Sequence, residues 1–168
     1  MYFTNTLKTE DVDRGCVKLL TGFGFVTDDG VLVCVPPERV TNYASIPRFL
    51  RWLLPPNGSY KDAAVIHDEM VDERRSVPAS WRYYALDYTV LEVQEFAERL
   101  GYIASSRAYW REIGHLKDFK VPISPDKSNE IFLQAMESFP SPTNIIIRKV
   151  IHEAIKRFGP SWATPDGV

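Results

Sequence analysis

Two short apolar runs separated by a tight-turn sequence constrain the fold of this chain most strongly. Residues 23–26 read F-G-F-V, residues 31–35 read V-L-V-C-V, and D-D-G lies between them at 28–30. An Asp-Gly turn between runs of strand-forming residues is typical of a β-hairpin. Prolines at 36–37 end the second run, because proline cannot donate to a sheet ladder. The pattern therefore predicts an antiparallel hairpin over 23–35.

The remainder of the chain has the apolar spacing of helices. Helices are predicted over about 60–73, 79–100, 104–117, 126–138 and 143–158. A small antiparallel sheet followed by helices defines an α+β fold. We expect the N-terminal hairpin to be followed by a helical bundle that contains an inserted helical pair.

Composition excludes several classes of protein. The chain has 168 residues, 45% of them apolar, and a net charge of −2, so bulk charge gives it no affinity for nucleic acid. Its apolar runs are too short for a membrane span, and the N-terminal residues do not have the pattern of a secretory signal. Cys16 and Cys34 lack metal-binding spacing. We expect a globular protein without a required cofactor.

A histidine and an aspartate stand side by side in the run A-A-V-I-H-D-E-M, residues 63–70. Neighbouring residues of a helix point about 100° apart, so His67 and Asp68 do not face each other. His67 could act as a base, and Asp68 could bind a cation together with a preceding loop. The alternative interpretation is that the two residues mark the place where the helix turns towards water.

Three motifs resemble a family of unknown function from tailed bacteriophages and prophages. They are V-T-N-Y-A-S-I-P-R, then G-S-Y-K-D-A-A-V-I-H-D, then N-E-I-F-L-Q-A-M; the family signature contains T-D-x-A-S-I-P-R and H-D-x-x-Y. The resemblance covers 22–73 and 124–163. It implies one α+β domain made of 1–73 and 124–168, with 74–123 as a helical insertion. It also implies a phage accessory protein located in the host cytoplasm or the virion.

The H-D-x-x-Y signature is similar in spacing to secreted phospholipases A2. That resemblance implies a small hydrolase in which His67 is the general base and Asp68 the calcium ligand. This chain departs from the family pattern at Asn42, Val71 and Asn129, which replace an aspartate, a tyrosine and an aspartate. An asparagine cannot supply the negative charge that stabilises an imidazolium, so the departures favour a degenerate site with weak or absent calcium binding.

The remaining candidates concern positioning and partner binding. Ser45, in the A-S-I-P-R run, is expected to lie in a loop beside His67. Trp81, Tyr84 and Tyr88 are spaced like one face of a helix, which fits either a core or a binding face. Two functions therefore remain open: a protein that binds a phage or host protein through residues 79–118, and a small hydrolase.

Overall fold

The computed structural model describes residues 1–13, 15–43, 60–71, 83–85, 90–114, 123–138 and 143–158. Within them, short strands form two antiparallel sheets. The first sheet has the spatial order β1 (Tyr2–Phe3), β4 (Phe23–Val26), β5 (Val31–Val35), β7 (Tyr83–Ala85). The second has the order β2 (Thr9–Asp11), β3 (Val17–Leu19), β6 (Val40–Thr41).

The predicted hairpin is confirmed in β4 and β5. Phe23 pairs with Val35, and Val26 pairs with Leu32. The turn between them places Gly30 at a φ of 81°, in the left-handed region that glycine enters without steric strain. The D-D-G sequence therefore sets the register of the central strands.

The described helices are α1 (Tyr60–Val71), α2 (Val90–Tyr102), α3 (Ser106–Gly114), α4 (Pro125–Glu137) and α5 (Ile145–Phe158). The α+β class is confirmed. The start of α4 follows its sequence, since the Ser124 hydroxyl accepts a hydrogen bond from the Lys127 backbone N–H at 3.1 Å and Pro125 occupies the first turn. None of the helices described here is long and apolar enough to cross a membrane.

Helices cover both faces of the first sheet. Alternate residues of β5 point to opposite faces, so Val33 joins a main core with α1, α4 and α5, whereas Leu32 joins a second cluster with α2 and α3. The main core includes Ile66 and Phe132. The second cluster consists of Val26, Leu32, Cys34, Leu100, Tyr109 and Ile113. The sheet is therefore a shared layer between two helical groups.

The prediction of one continuous helix over 79–100 is wrong. Residues 83–85 form β7, in which Tyr83 pairs with Val33 and Ala85 pairs with Val31. Aromatic residues suit a pleated strand as well as a helix, and β5 offers a ladder of backbone groups that β7 completes. The helix that the structure describes in this region is Val90–Tyr102, and it includes Gly101. The division into a domain and an insertion at 74–123 stays a prediction.

Candidate functional site

Three consecutive polar side chains are buried near the C-terminal end of α1. His67, Asp68 and Glu69 expose 0%, 8% and 1% of their surface. Two carboxylates at this end of a helix are unfavourable, because the helix dipole is negative there. Burial makes each of them more costly without a polar partner. Each of these side chains therefore needs a polar partner from another element of the fold.

The His67 side chain turns towards α4. Its Nε2 lies 3.2 Å from Oδ1 of Asn129, and its ring centroid lies 4.9 Å from that of Phe132. The histidine is thus within hydrogen-bonding distance of Asn129, one of the positions at which this chain departs from the family pattern. Because Oδ1 is an acceptor, Nε2 carries the hydrogen and donates it. The other ring nitrogen, Nδ1, is buried and has no hydrogen-bond partner among the described residues.

The imidazole is a neutral group at physiological pH. Burial lowers the pKa of His67 to about 4, although the negative charge of Asp68 and the hydrogen bond to Asn129 act in the opposite direction. Asn129 stabilises the ring through a dipole and not through a charge. The pair therefore fixes the orientation and tautomer of the imidazole, and its upward effect on the pKa of His67 is outweighed by burial.

Asp68 meets the second sheet. Its Oδ2 accepts a hydrogen bond from the hydroxyl of Thr41 in β6, and that hydroxyl accepts one from the backbone N–H of Tyr43 at 3.1 Å. This contact comes from a strand residue, and a cation site formed by Asp68 and the loop that follows β6 stays a prediction. The neighbouring Asn42 is exposed. Ser45 lies outside the described residues.

Glu69 completes the set with an ion pair that the sequence did not predict. Its Oε2 lies 3.0 Å from Nε of Arg39, which precedes β6. The backbone carbonyl of Arg39 accepts a hydrogen bond from the N–H of Leu19 at 2.9 Å, so the arginine is anchored to β3. No local pattern relates residues 39 and 69, and only the fold brings them together. Asp68 and Glu69 therefore both connect α1 to the strand region around β6.

The surroundings of Tyr43 are acidic. Burial raises the pKa of its hydroxyl, and the nearby carboxylates of Asp62, Asp11 and Asp68 raise it further. Burial likewise raises the pKa of Asp62. The described parts of the chain nevertheless contain no group of three or more His, Cys, Asp or Glu side chains arranged to hold a metal ion. Calcium binding through Asp68 stays a prediction.

The predicted aromatic binding face is only partly visible. Tyr84 lies in β7 opposite Leu32, while Trp81 and Tyr88 lie outside the described residues. Sequence reasoning missed two other aromatic side chains of the 79–118 segment. Tyr102 is 75% exposed and Trp110 is 49% exposed. The signal that could have identified Trp110 is its position on the polar face of α3.

The fold and the site define an α+β protein whose first helix carries a buried His-Asp-Glu run. Residues 17–105, more than half of the chain, match DUF1353, a family of proteins of unknown function, and the chain belongs to that family. The match includes His67 and Asp68 and ends before α4, which carries Asn129. Comparisons with curated proteins and with solved structures find no match. The phage origin implied by the sequence motifs stays a prediction.

Proposed function

We propose that this chain functions by binding a protein partner, and that its His67–Asp68 pair has a structural role. The observation that supports this most is the environment of His67. Its side chain has no exposed surface, and its Nε2 faces an amide where a hydrolase would need a carboxylate. On this proposal, the buried polar residues 67–69 hold α1 against α4 and β6.

The chemistry of the site argues against an efficient general base. A base with a pKa of about 4 is unprotonated at neutral pH but has little affinity for the proton that it must take from water. The imidazolium formed in that step would lie beside Asn129, which carries no negative charge. Asp68 already accepts a hydrogen bond from Thr41. These features stabilise a resting structure more than a transition state.

The resemblance to phage and prophage proteins supplies the biological setting of the proposal. The partner is then a phage or host protein, and the chain acts in the host cytoplasm or as part of the virion. Cross-linking of a tagged chain in its native host, followed by mass spectrometry, tests this setting. Recovery of the same partner with a His67→Gln variant is the expected result, because the histidine does not itself contact the partner.

A small hydrolase is the second candidate, and one observation favours it. The Nδ1 atom of His67 is buried and has no hydrogen-bond partner within the described residues. A general base needs such an unoccupied lone pair before it accepts a proton. Such a role requires the site to open, since the side chain is fully buried. The low pKa of His67 and the amide partner make this candidate the weaker one.

Hydrolysis assays separate the two candidates. Short-chain ester and phospholipid substrates are offered to the wild-type chain with and without calcium, alongside His67→Gln and the matched control His152→Gln. His152 lies half-buried on α5, a different helix from that of His67. We expect no turnover that His67→Gln alone removes. Turnover lost with His67→Gln, retained with His152→Gln and increased by Asn129→Asp would establish the hydrolase instead.

A further inference from the structure

We propose that Arg107, Trp110 and Arg111 on α3 form a docking surface for an acidic protein segment that carries an apolar anchor side chain. We name these three residues the α3 face. The inference rests on the proposed function, since it assumes that the chain binds a protein partner. It adds the location of the surface and the chemistry of the partner.

The geometry of α3 places the three side chains together. Residues 107, 110 and 111 are spaced i, i+3 and i+4, so they share one side of the helix, and all three are exposed. The opposite side of α3 is fixed, because Tyr109 and Ile113 are 1% and 3% exposed within the second hydrophobic cluster. The orientation of the α3 face is thus set by the core.

Trp110 is a pre-ordered anchor. Its ring packs edge-on against the buried ring of Tyr109, with centroids 5.7 Å apart and planes at 87°. A half-exposed indole that is already held on one side loses little conformational freedom when a partner covers the other side. Tryptophan is also among the residues that most often dominate binding energy at protein interfaces.

The charges on the α3 face favour an acidic partner. Among the described residues, no ion pair involves Arg107 or Arg111, whereas Arg99 of α2 lies 3.2 Å from Glu112. A guanidinium binds a carboxylate with two parallel hydrogen bonds, which gives directional recognition. Residues 90–114 contain three arginines and no lysine. Arginine is enriched and lysine depleted at protein–protein interfaces.

A nucleic acid fits this surface less well. Residues 90–114 carry four glutamates against three arginines, and the whole chain has a net charge of −2. Single-stranded nucleic acids bind along extended positive grooves that follow many phosphates. Two arginines on one helical face can instead pair with carboxylates at matching positions of a short segment, while the glutamates nearby discourage an extended polyanion.

Selection of displayed random linear peptides on the full-length chain tests the α3 face. The selected peptides are synthesised, and their affinities are measured by fluorescence anisotropy. The variants are Trp110→Ala and the double change Arg107→Glu, Arg111→Glu. The matched controls on α5 are Ile146→Ala, at a side chain that is 71% exposed, and the double change Lys149→Glu, Lys156→Glu. Circular dichroism verifies that each variant is folded.

The expected result is a set of peptides with carboxylates on either side of an aromatic or aliphatic residue. Their affinity should fall roughly tenfold or more with Trp110→Ala and with the double arginine change, and should not change with the α5 controls. Added salt should weaken binding to the wild-type chain. A lysine-containing counterpart of the best peptide should bind the double arginine variant better than the wild-type chain.

Three outcomes overturn the inference. If no peptide is selected, or if the selected peptides bind the α3 variants as well as the wild-type chain, the α3 face is not the docking surface. The cross-linking experiment would then decide whether the chain binds a protein partner through another surface. If an oligodeoxythymidine binds more tightly than the best peptide and loses affinity with the same variants, the surface recognises nucleic acid. Hydrolysis that depends on His67 would refute the proposed function independently of these results.

Discussion

The Nε atom of Arg39 lies 3.0 Å from Oε2 of Glu69, and the Glu69 side chain is only 1% exposed. The arginine is also largely buried, with 17% of its side chain exposed. The pair connects α1 to the strands that surround β6. Burial removes water from both charges, so neither group keeps a good environment when its partner is absent.

We expect Arg39→Ala to destabilise the fold by about 3 kcal/mol or more, because it leaves a buried carboxylate without its cation. Chemical unfolding followed by circular dichroism measures this change. Lys18→Ala is the matched control, since Lys18 forms an exposed ion pair with Glu10 on the same sheet as β6. The control should not change the free energy of unfolding measurably. Equal losses of unfolding free energy in the two variants would show that the buried ion pair stabilises the fold no more than the exposed one.

The buried imidazole predicts a dependence of stability on pH. The pKa of His67 is about 4 in the folded chain and near 6.5 when unfolded, so between these values the unfolded chain binds more protons. The contribution of His67 to the free energy of unfolding is therefore fully present above pH 6.5, and it is lost as the pH falls towards 4. The loss over this window is about 3 kcal/mol.

The difference between the pH profiles of the wild-type chain and His67→Gln isolates this effect from the titration of other groups. Free energies of unfolding at several pH values between 7 and 4 should converge for the two proteins as the pH falls. His152→Gln serves as the control. Burial and the charge of Lys156 also lower the pKa of His152, so its profile should converge with that of the wild-type chain in the same direction, but by less than that of His67→Gln. A His67→Gln profile that stays parallel to that of the wild-type chain would mean that the pKa of His67 is the same in the folded and unfolded chains.

Local sequence patterns predicted the elements that depend on local interactions. The hairpin over 23–35 and the final helices follow from turn residues, apolar periodicity and a serine cap. The contacts of Glu69 with Arg39 and of Asp68 with Thr41 join residues 30 and 27 positions apart, and no spacing rule relates them. The prediction of a helix across 83–85 was wrong. These residues suit a strand as well as a helix, and pairing with β5 favours the strand.

The hydroxyl of Thr41 is expected to stabilise the folded chain through Asp68. Thr41→Val keeps the shape of the side chain but removes the donor to Oδ2 of the carboxylate, and should cost about 1–3 kcal/mol of unfolding free energy. Thr41→Ser keeps the hydroxyl and is the matched control. The double change Thr41→Val, Asp68→Asn should lose less than the sum of the single changes, because the charge is then absent. Strict additivity would show that the two side chains are not coupled.

Calcium is expected to leave the stability of the chain unchanged. A cation that binds only the folded state at a hundred times its dissociation constant would add about 2.7 kcal/mol. Asp68 is engaged by Thr41, and the neighbouring position holds Asn42 in place of a carboxylate. Thermal melting with chelator and with about 1 mM calcium should therefore give the same midpoint. A calcium-dependent rise in the melting midpoint that Asp68→Asn abolishes would instead support the calcium-dependent hydrolase.

The segment that resembled an insertion makes close contact with the first sheet. A Cβ atom on Gly22 would lie 2.4 Å from the Leu100 carbonyl oxygen, so the two backbones can approach only because residue 22 is glycine. The amide of Asn5 donates to the carbonyls of Gly22 and Gly101 at 3.0 and 2.9 Å. These contacts lead us to expect that 74–123 and the rest of the chain unfold as one cooperative unit.

Replacement of residues 76–122 by a short linker tests that expectation. The deletion removes β7 from the edge of β5 and exposes Leu32, which is fully buried in the whole chain. We expect a product without a near-ultraviolet circular dichroism signal. In the full chain, Leu100→Ala should lower the unfolding free energy by about 2–5 kcal/mol, whereas Tyr102→Ala, at a 75% exposed side chain, should change it by less than about 0.5 kcal/mol. A folded, cooperatively melting deletion product would instead establish 74–123 as a separable insertion, because its core would then be complete without α2 and α3.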